Sequence, residues 1–338
     1  MPTPVHWALV GASTIAGQFM VDAIRAQGGV IAVVVSGSAA RAAEFAQSKG
    51  IARHATDLDA VLADPAIDAV YISSTNEKHL PQALAAARAG KHVLCEMPLA
   101  LCADDARQMI AVCAEQGVVL GTNHHLRCAA THRALREQLR AGSIGKPLFA
   151  RVFHAVSLPP QLCGWRVEQP EAGGGVILDI SVHDVDTLRY ILDDEPVEVT
   201  AMTASGSMGS AGLADGVMSI VRFGNGVLAQ LHDAFTVPFA PTGLELHGTQ
   251  GSLFARDVMT QRPVGEIVLR SAAGERVIEV GHASLYEYAV QRFHAAIAGE
   301  GAPAATGEDG YRSLQAALAL AQSAQSGAHV VIDGRAGN

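Results

Sequence analysis

Apolar positions in the first third of the chain follow a repeated two-part rhythm. A short β-branched run is followed by a turn and an Ala-rich amphipathic segment, and a glycine closes the unit. The apolar runs at 5–10, 30–35, 68–73, 92–95 and 118–123 predict strands buried on both faces. Between them, 39–49, 79–88 and 104–116 place their apolar residues at helical spacing, as does the stretch after Gly11. Gly28-Gly29, Gly50, Gly90 and Gly117 stand at the helix exits, where a left-handed residue ends the helix and glycine takes that conformation without strain. Strands alternating with helices of about ten residues are βαβ units, which require a parallel sheet with right-handed crossovers. A doubly wound α/β domain is therefore expected over 1–126.

Beyond residue 126 the pattern changes. A helix over 131–141 precedes longer strands over 147–155, 197–204, 216–223 and 227–235. The last two flank Asn225-Gly226, which predicts a type I′ hairpin, and 266–270 with 276–280 forms a second hairpin across Ala273-Gly274. Residues 173–192 open with three glycines and then read helical, and two more helices are expected over 284–298 and 309–326. Hairpin-joined strands with helices set aside describe an α+β domain over 127–338, built on a large, mainly antiparallel open sheet. An open sheet face leaves room for a homo-oligomer, but no residue pattern fixes that state.

Composition narrows the function. The 338 residues fit two domains, and 49% hydrophobic against 17% charged residues is too apolar for disorder. A net charge of −9 argues against a nucleic-acid partner, which needs a basic surface for phosphates. No apolar run approaches the about 18 residues of a membrane span, so no membrane partner is expected. The first Lys or Arg is Arg25, and the five cysteines lack CxxC spacing; both point to a cytoplasmic protein with reduced thiols.

The first strand ends in Gly11-Ala12-Ser13-Thr14-Ile15-Ala16, a variant of the dinucleotide-binding turn. Gly11 permits the tight turn, small Ser13 lets backbone approach a pyrophosphate, and small Ala16 lets helix pack on strand. The second strand ends at Ser36, where an NAD site would carry a carboxylate; the next carboxylate is Glu44, and Arg41 precedes it. A hydroxyl with a guanidinium accepts a 2′-phosphate, so NADP(H) is favoured. Glu96-Met97-Pro98 and Asn123-His124-His125 follow strands at the carboxyl edge of the sheet, where such folds bind ligands. Asp179 and His183 share a helix face and could orient a carbonyl and protonate it, or simply be a solvated Asp beside a half-buried His. Trp165-Arg166 could cover a nicotinamide or a sugar, and would serve packing equally well. There is no HExxH or Cys/His cluster, so no metal is expected.

These residues resemble the Gfo/Idh/MocA family of sugar oxidoreductases over essentially the whole chain. The motifs that carry the resemblance are 11–16, Ser74-Thr75-Asn76 with His79, 89–96, 121–127 and 173–183. The resemblance implies an N-terminal Rossmann-type domain and NADPH-dependent reduction of a sugar ketone, that of 1,5-anhydro-D-fructose or a similar small ketosugar, to 1,5-anhydro-D-mannitol. It implies cofactor contacts from Ala12, Ser13, Thr14, Ile15, Ser36, Gly37, Arg41, Ser74, Thr75, Asn76, His79, Glu96, Asn123, Trp165, Arg166 and Tyr286, alongside Gly11. Asp179 and His183 match the family's substrate-site pair. One residue departs: the family's Glu-Lys-Pro reads Glu96-Met97-Pro98 here. A thioether neither stabilises a developing alkoxide nor relays a proton, so turnover is expected to be attenuated. Three readings remain open at Met97: a substituted form, an enzyme relying on His183, or an NADP-binding protein without turnover. A nicotinamide-dependent glycosidase is disfavoured by Ser36 and Arg41.

Overall fold

The structure, a computed structural model, describes residues 4–208 and 212–332. The first unit is built on β1 (His6–Val10), β2 (Val30–Val35), β3 (His54–Ala55), β4 (Ala69–Ile72), β5 (His92–Cys95) and β6 (Leu120–Thr122). They form one parallel sheet in the order β3-β2-β1-β4-β5-β6. Trp7–Val10 and every residue of β4 are buried, as a sheet covered on both faces demands. The crossovers are α1 (Val21–Ala26), α2 (Ala39–Lys49), α3 (Leu58–Leu62), α4 (His79–Arg88) and α5 (Ala103–Glu115). Gly28, Gly50, Gly90 and Gly117 all have positive φ, which is the expected end of each helix. The sequence rhythm did not predict β3, a two-residue strand with too few positions to show any period.

The second unit holds a nine-stranded sheet made of β7 (Pro147–Ala155), β8 (Pro196–Ala204), β9 (Gly216–Phe223), β10 (Leu228–Ala234), β11 (Gly243–Gly248), β12 (Gly251–Arg256), β13 (Glu266–Ser271), β14 (Gly274–Ile278) and β15 (Val330–Val331). Its order is β14-β13-β12-β11-β7-β10-β9-β8-β15, and only β7 and β10 pair in parallel. One face buries alternate residues such as Ala150, Val152, Ala229 and Leu231, whereas Phe149, Met202, Met218 and Ile220 are exposed. The helices α6 (Ala130–Arg140), α7 (Gly164–Glu168) and α8 (Val182–Leu192) belong to this unit, and α6 packs on α8. The Asn225-Gly226 turn differs from the expected type I′. Only Gly226 has positive φ, and Gly226 N–H donates to the Phe223 carbonyl. That is a type I turn closed by a glycine bulge, with Asn225 Oδ1 accepting from Val227 N–H.

Chain order and contacts differ in one respect. The first unit combines the chain up to His125 with Ser284–Tyr311, and the second combines Leu126–Ala283 with the chain from Arg312 onward. The returning segment carries α9 (Leu285–Ile297), which packs on α1. Its His294 accepts a hydrogen bond from Trp7 Nε1 at 3.1 Å, and Phe293 lies 5.3 Å from the Trp7 ring.

Candidate functional site

In the first unit, the loops after β1 and β4 meet where the strand order reverses, the usual crevice for ligands in this topology. Gly11 has φ +116°, and a Cβ there would come within 2.9 Å of the Ser73 backbone. Only glycine fits. Ser13 Oγ donates to Ser73 Oγ at 2.8 Å and accepts from Ala16 N–H at 3.1 Å, so it ties the turn to the first helical residues. A π-helical turn, Ala16–Met20, then leads into α1. Beside it opens a cavity of about 340 Å³, lined among others by Ala12, Ser13, Thr14, Arg41 and Glu44. Ser38 caps α2, its Oγ accepting from Arg41 N–H, and Ser36 Oγ accepts from Ser38 N–H. The Arg41 guanidinium reaches across to the Ala12 carbonyl at 3.3 Å. Ser36 and Gly37 thus follow the end of β2, and Arg41, in the first turn of α2, lines the cavity.

After β4, Ser74 Oγ donates to Gln82 Oε1 at 2.6 Å, Thr75 precedes a short 3₁₀ turn, and Asn76 is buried. His79 has no exposed surface, and its ring lies between the carbonyls of Pro98 (3.0 Å) and Ser74 (3.2 Å). Burial holds its pKa below the usual histidine value, and its place in the site is to fasten two loops together. Glu96 is buried after β5, and its Oε1 accepts from Asn123 Nδ2 at 2.6 Å and from the Tyr71 hydroxyl. Burial and the neighbouring Glu96 push the Tyr71 pKa far up, so the phenol stays a donor. Tyr71 was missed in the sequence because it reads as one more apolar residue of a buried strand. Met97 is 9% exposed, and Tyr286 stacks between His125 (5.1 Å) and Phe19 (4.8 Å).

These residues fit a dinucleotide. The Gly11 cradle would be filled by a Cβ. Two buried polar atoms at the sheet's carboxyl edge, the donor Asn76 Nδ2 and the acceptor Asn123 Oδ1, have no partner among the described residues. A carboxamide offers the complementary acceptor and donor. Among the described residues, no three His, Cys, Asp or Glu side chains are grouped to hold a metal.

In the second unit, Asp179 lies in a π-helical turn, Ile177–Ser181, that runs into α8, and His183 follows on the same face. Arg166 Nε donates to Asp179 Oδ1 at 2.8 Å while its guanidinium lies 4.6 Å over the Trp165 ring. Arg166, expected at the cofactor, is thus hydrogen-bonded to Asp179, one of the two residues expected at the substrate. The glycine run makes this possible. A Cβ on Gly174 would come within 2.7 Å of the Trp165 carbonyl, and Gly175 N–H donates to the Arg166 carbonyl at 2.7 Å. Behind this face, sequence reasoning missed His154, Asp184 and Asp233; Asp184 Oδ1 and His154 Nδ1 are 2.7 Å apart. The signal was a polar residue in the inward phase of two otherwise apolar strands.

Comparison with known proteins agrees with this arrangement. Residues 5–124 match the oxidoreductase family with an NAD-binding Rossmann fold, and residues 132–254 match the GFO/IDH/MocA C-terminal domain. The 1,5-anhydro-D-fructose reductase of Ensifer adhaerens is 56% identical over 95% of this chain and 97% of its own length. The myo-inositol 2-dehydrogenase of Thermotoga maritima is 29% identical over 84% of this chain and 85% of its own. Levoglucosan dehydrogenase, solved with NADH and levoglucosan, shares the fold with a TM-score of 0.88 at 23% identity, over 98% of this chain and 100% of that one. With two domains of this lineage in order and a relative matched nearly end to end, the chain belongs to the Gfo/Idh/MocA family of oxidoreductases.

Proposed function

We propose that the protein is an NADPH-dependent ketosugar reductase that converts 1,5-anhydro-D-fructose to 1,5-anhydro-D-mannitol. The observation that carries this reading is the 56% identity to a 1,5-anhydro-D-fructose reductase across 95% of the chain. The geometry supports it residue by residue. The Gly11 turn and the N–H groups opening the following helix receive the pyrophosphate. Ser36 and Arg41 receive the 2′-phosphate, because a hydroxyl and a guanidinium favour it where a carboxylate would repel it. Asn76 and Asn123 hold the carboxamide. Bound NADPH supplies the hydride that reduces the C2 ketone.

His183 delivers the proton to the ketone oxygen, and Asp179, oriented by Arg166, holds a sugar hydroxyl. Glu96 is held by Tyr71 and Asn123 and offers no cation to the developing alkoxide, nor does Met97. Losing such a cation commonly costs about 10²-fold or more in rate. Met97 favours a second reading, an NADP-binding protein without turnover.

An NADPH oxidation assay with 1,5-anhydro-D-fructose and a panel of 2-ketosugars tests the proposal. Stoichiometric loss of NADPH with formation of the anhydro-alcohol is the expected result. Tight NADPH binding with no turnover of any ketosugar would leave the second reading in its place. Glycoside hydrolysis without net cofactor loss would overturn both.

A further inference from the structure

Three buried side chains at the carboxyl edge of the first sheet are joined by hydrogen bonds that all point one way. Glu96 Oε1 accepts from the Tyr71 hydroxyl and from Asn123 Nδ2, the latter at 2.6 Å. Adjacent strands bring them together. Tyr71 lies on β4, Glu96 directly follows β5 and Asn123 directly follows β6, and β5 pairs with both of its neighbours. The backbone is fastened at the same level, since Glu96 N–H donates to the Ile72 carbonyl and Asn123 N–H to the Cys95 carbonyl. Both main chains are therefore anchored without the phenol, which acts on the side chains alone.

A primary amide has a donor end and an acceptor end of nearly equal shape, so packing does not choose between its two orientations. Its polar neighbours choose. An oxygen that accepts from a phenol O–H offers lone pairs and no proton, so the end of Asn123 that meets it must be the N–H₂. The reverse orientation would set Asn123 Oδ1 against Glu96 Oε1, acceptor against acceptor, in a buried place. Without the phenol, the Glu96 carboxylate has one donor fewer and takes up a proton more readily. A protonated oxygen would donate to Asn123 Oδ1, and the amide would lose its single orientation. With the phenol in place, Asn123 Oδ1 is left as a buried acceptor and Asn76 Nδ2 as a buried donor, neither with a hydrogen-bond partner among the described residues.

We propose that Tyr71 is a positioning residue that, by donating to Glu96, fixes the orientation of the Asn123 amide and so makes the site select a nicotinamide by its carboxamide N–H₂. The cofactor part of this inference rests on the proposed function, in which Asn76 and Asn123 hold the carboxamide; the hold on Asn123 does not.

The test is binding to the full chain, and it needs no turnover. The probes are NADP⁺ and its 3-acetylpyridine analogue, in which a methyl group replaces the carboxamide N–H₂, each titrated by calorimetry. The parent should bind the analogue about tenfold more weakly, because Asn123 Oδ1 is then left buried and unpaired. Tyr71→Phe, which keeps the ring packed in the sheet, should bring the two affinities within about threefold. Glu96→Leu, which removes the oxygen the phenol acts on, should do the same and tests the inference if the first variant folds poorly. Asn123→Ala should also lose the preference, and adding Tyr71→Phe to it should change the ratio no further, since the phenol acts through that amide. A phenol that served packing alone would weaken both probes alike; a parental ratio in Tyr71→Phe therefore overturns the inference. Nitrogen-15 NMR of the cofactor-free protein should show one Asn123 side-chain amide in the parent and a broadened or doubled one in Tyr71→Phe. If the parent binds both probes equally, the carboxamide assignment in the proposed function fails, and an Asn123 amide unaltered in Tyr71→Phe would overturn what is left.

Discussion

At the residue scale, Arg41 and Met97 carry opposite expectations. Arg41 donates to the Ala12 carbonyl and lines the cavity beside the glycine turn, where the proposed function has its guanidinium receive the 2′-phosphate. NADPH is expected to bind more tightly than NADH, and Arg41→Ala should reduce that preference by about tenfold to a hundredfold. Fluorescence titration with both cofactors measures it; equal affinities in the parent would refute the NADP assignment. Met97 sits where the resemblance implies a lysine, next to a Glu96 carboxylate already bound by Tyr71 and Asn123. Met97→Lys should raise kcat on 1,5-anhydro-D-fructose by about 10²-fold, because a cation there stabilises the developing alkoxide. NADPH affinity should change little. Equal single-turnover rates in the two proteins would mean that position 97 takes no part in the chemistry.

At the scale of elements, the site hangs on a π-helical turn and a glycine run. Such turns are uncommon and recur at functional sites. His183→Ala should cut kcat by about 10²-fold while leaving NADPH affinity intact. Lost thermal stability with unchanged specific activity would instead mark His183 as a packing residue. Gly174→Ala should lower both stability and kcat/KM, since its Cβ must push aside the Trp165 and Arg166 backbone that orients Asp179. The βα rhythm, the helix-ending glycines and the place of the glycine turn were all legible, because each follows from local periodicity or local φ. The π turn was not, since the shift of one hydrogen bond leaves no trace in composition. Strands β11 and β12 went unread although Leu244, Leu246, Leu253 and Ala255 alternate inward, because Thr249-Gln250 between them gives no turn signal. His154 and Asp233 could be suspected singly, but their meeting depends on a pairing between strands about 80 residues apart, which no local rule supplies.

At the scale of the molecule, buried titratable groups set the pH response. His132 is fully buried in α6, its Nδ1 donates to the Leu126 carbonyl at 2.7 Å, and burial lowers its pKa to about 4. The unfolded chain binds that proton near pH 6.5, so between these values it holds more protons than the fold does. His132 therefore contributes stability above pH 6.5 that is lost as pH falls toward 4; His154 acts alike, and the raised Asp184 and Asp233 oppose them. His132→Gln removes one of these contributions. Relative to the parent, the variant should be more stable at pH 5 than at pH 8 by about 2 kcal/mol, read from urea unfolding at both pH values. An identical stability difference at the two pH values would show that His132 does not titrate in this range.

The first unit has another consequence, which concerns the order in which the chain is made. Trp7 is covered by Phe293 and His294, and the Thr122 N–H at the outer strand of the sheet donates to the Ala305 carbonyl, so both positions depend on residues translated much later. Translation must pass β7 to β14 of the second sheet before those partners exist. Until then the half-made dinucleotide-binding unit carries a bare indole and an unpaired strand edge, both open to aggregation and to chaperones. A nascent chain stalled at residue 125 should therefore show a solvent-exposed tryptophan and be cleaved readily by protease. One released after residue 311 should show neither, because the last wall of the first unit is translated only after β7 to β14.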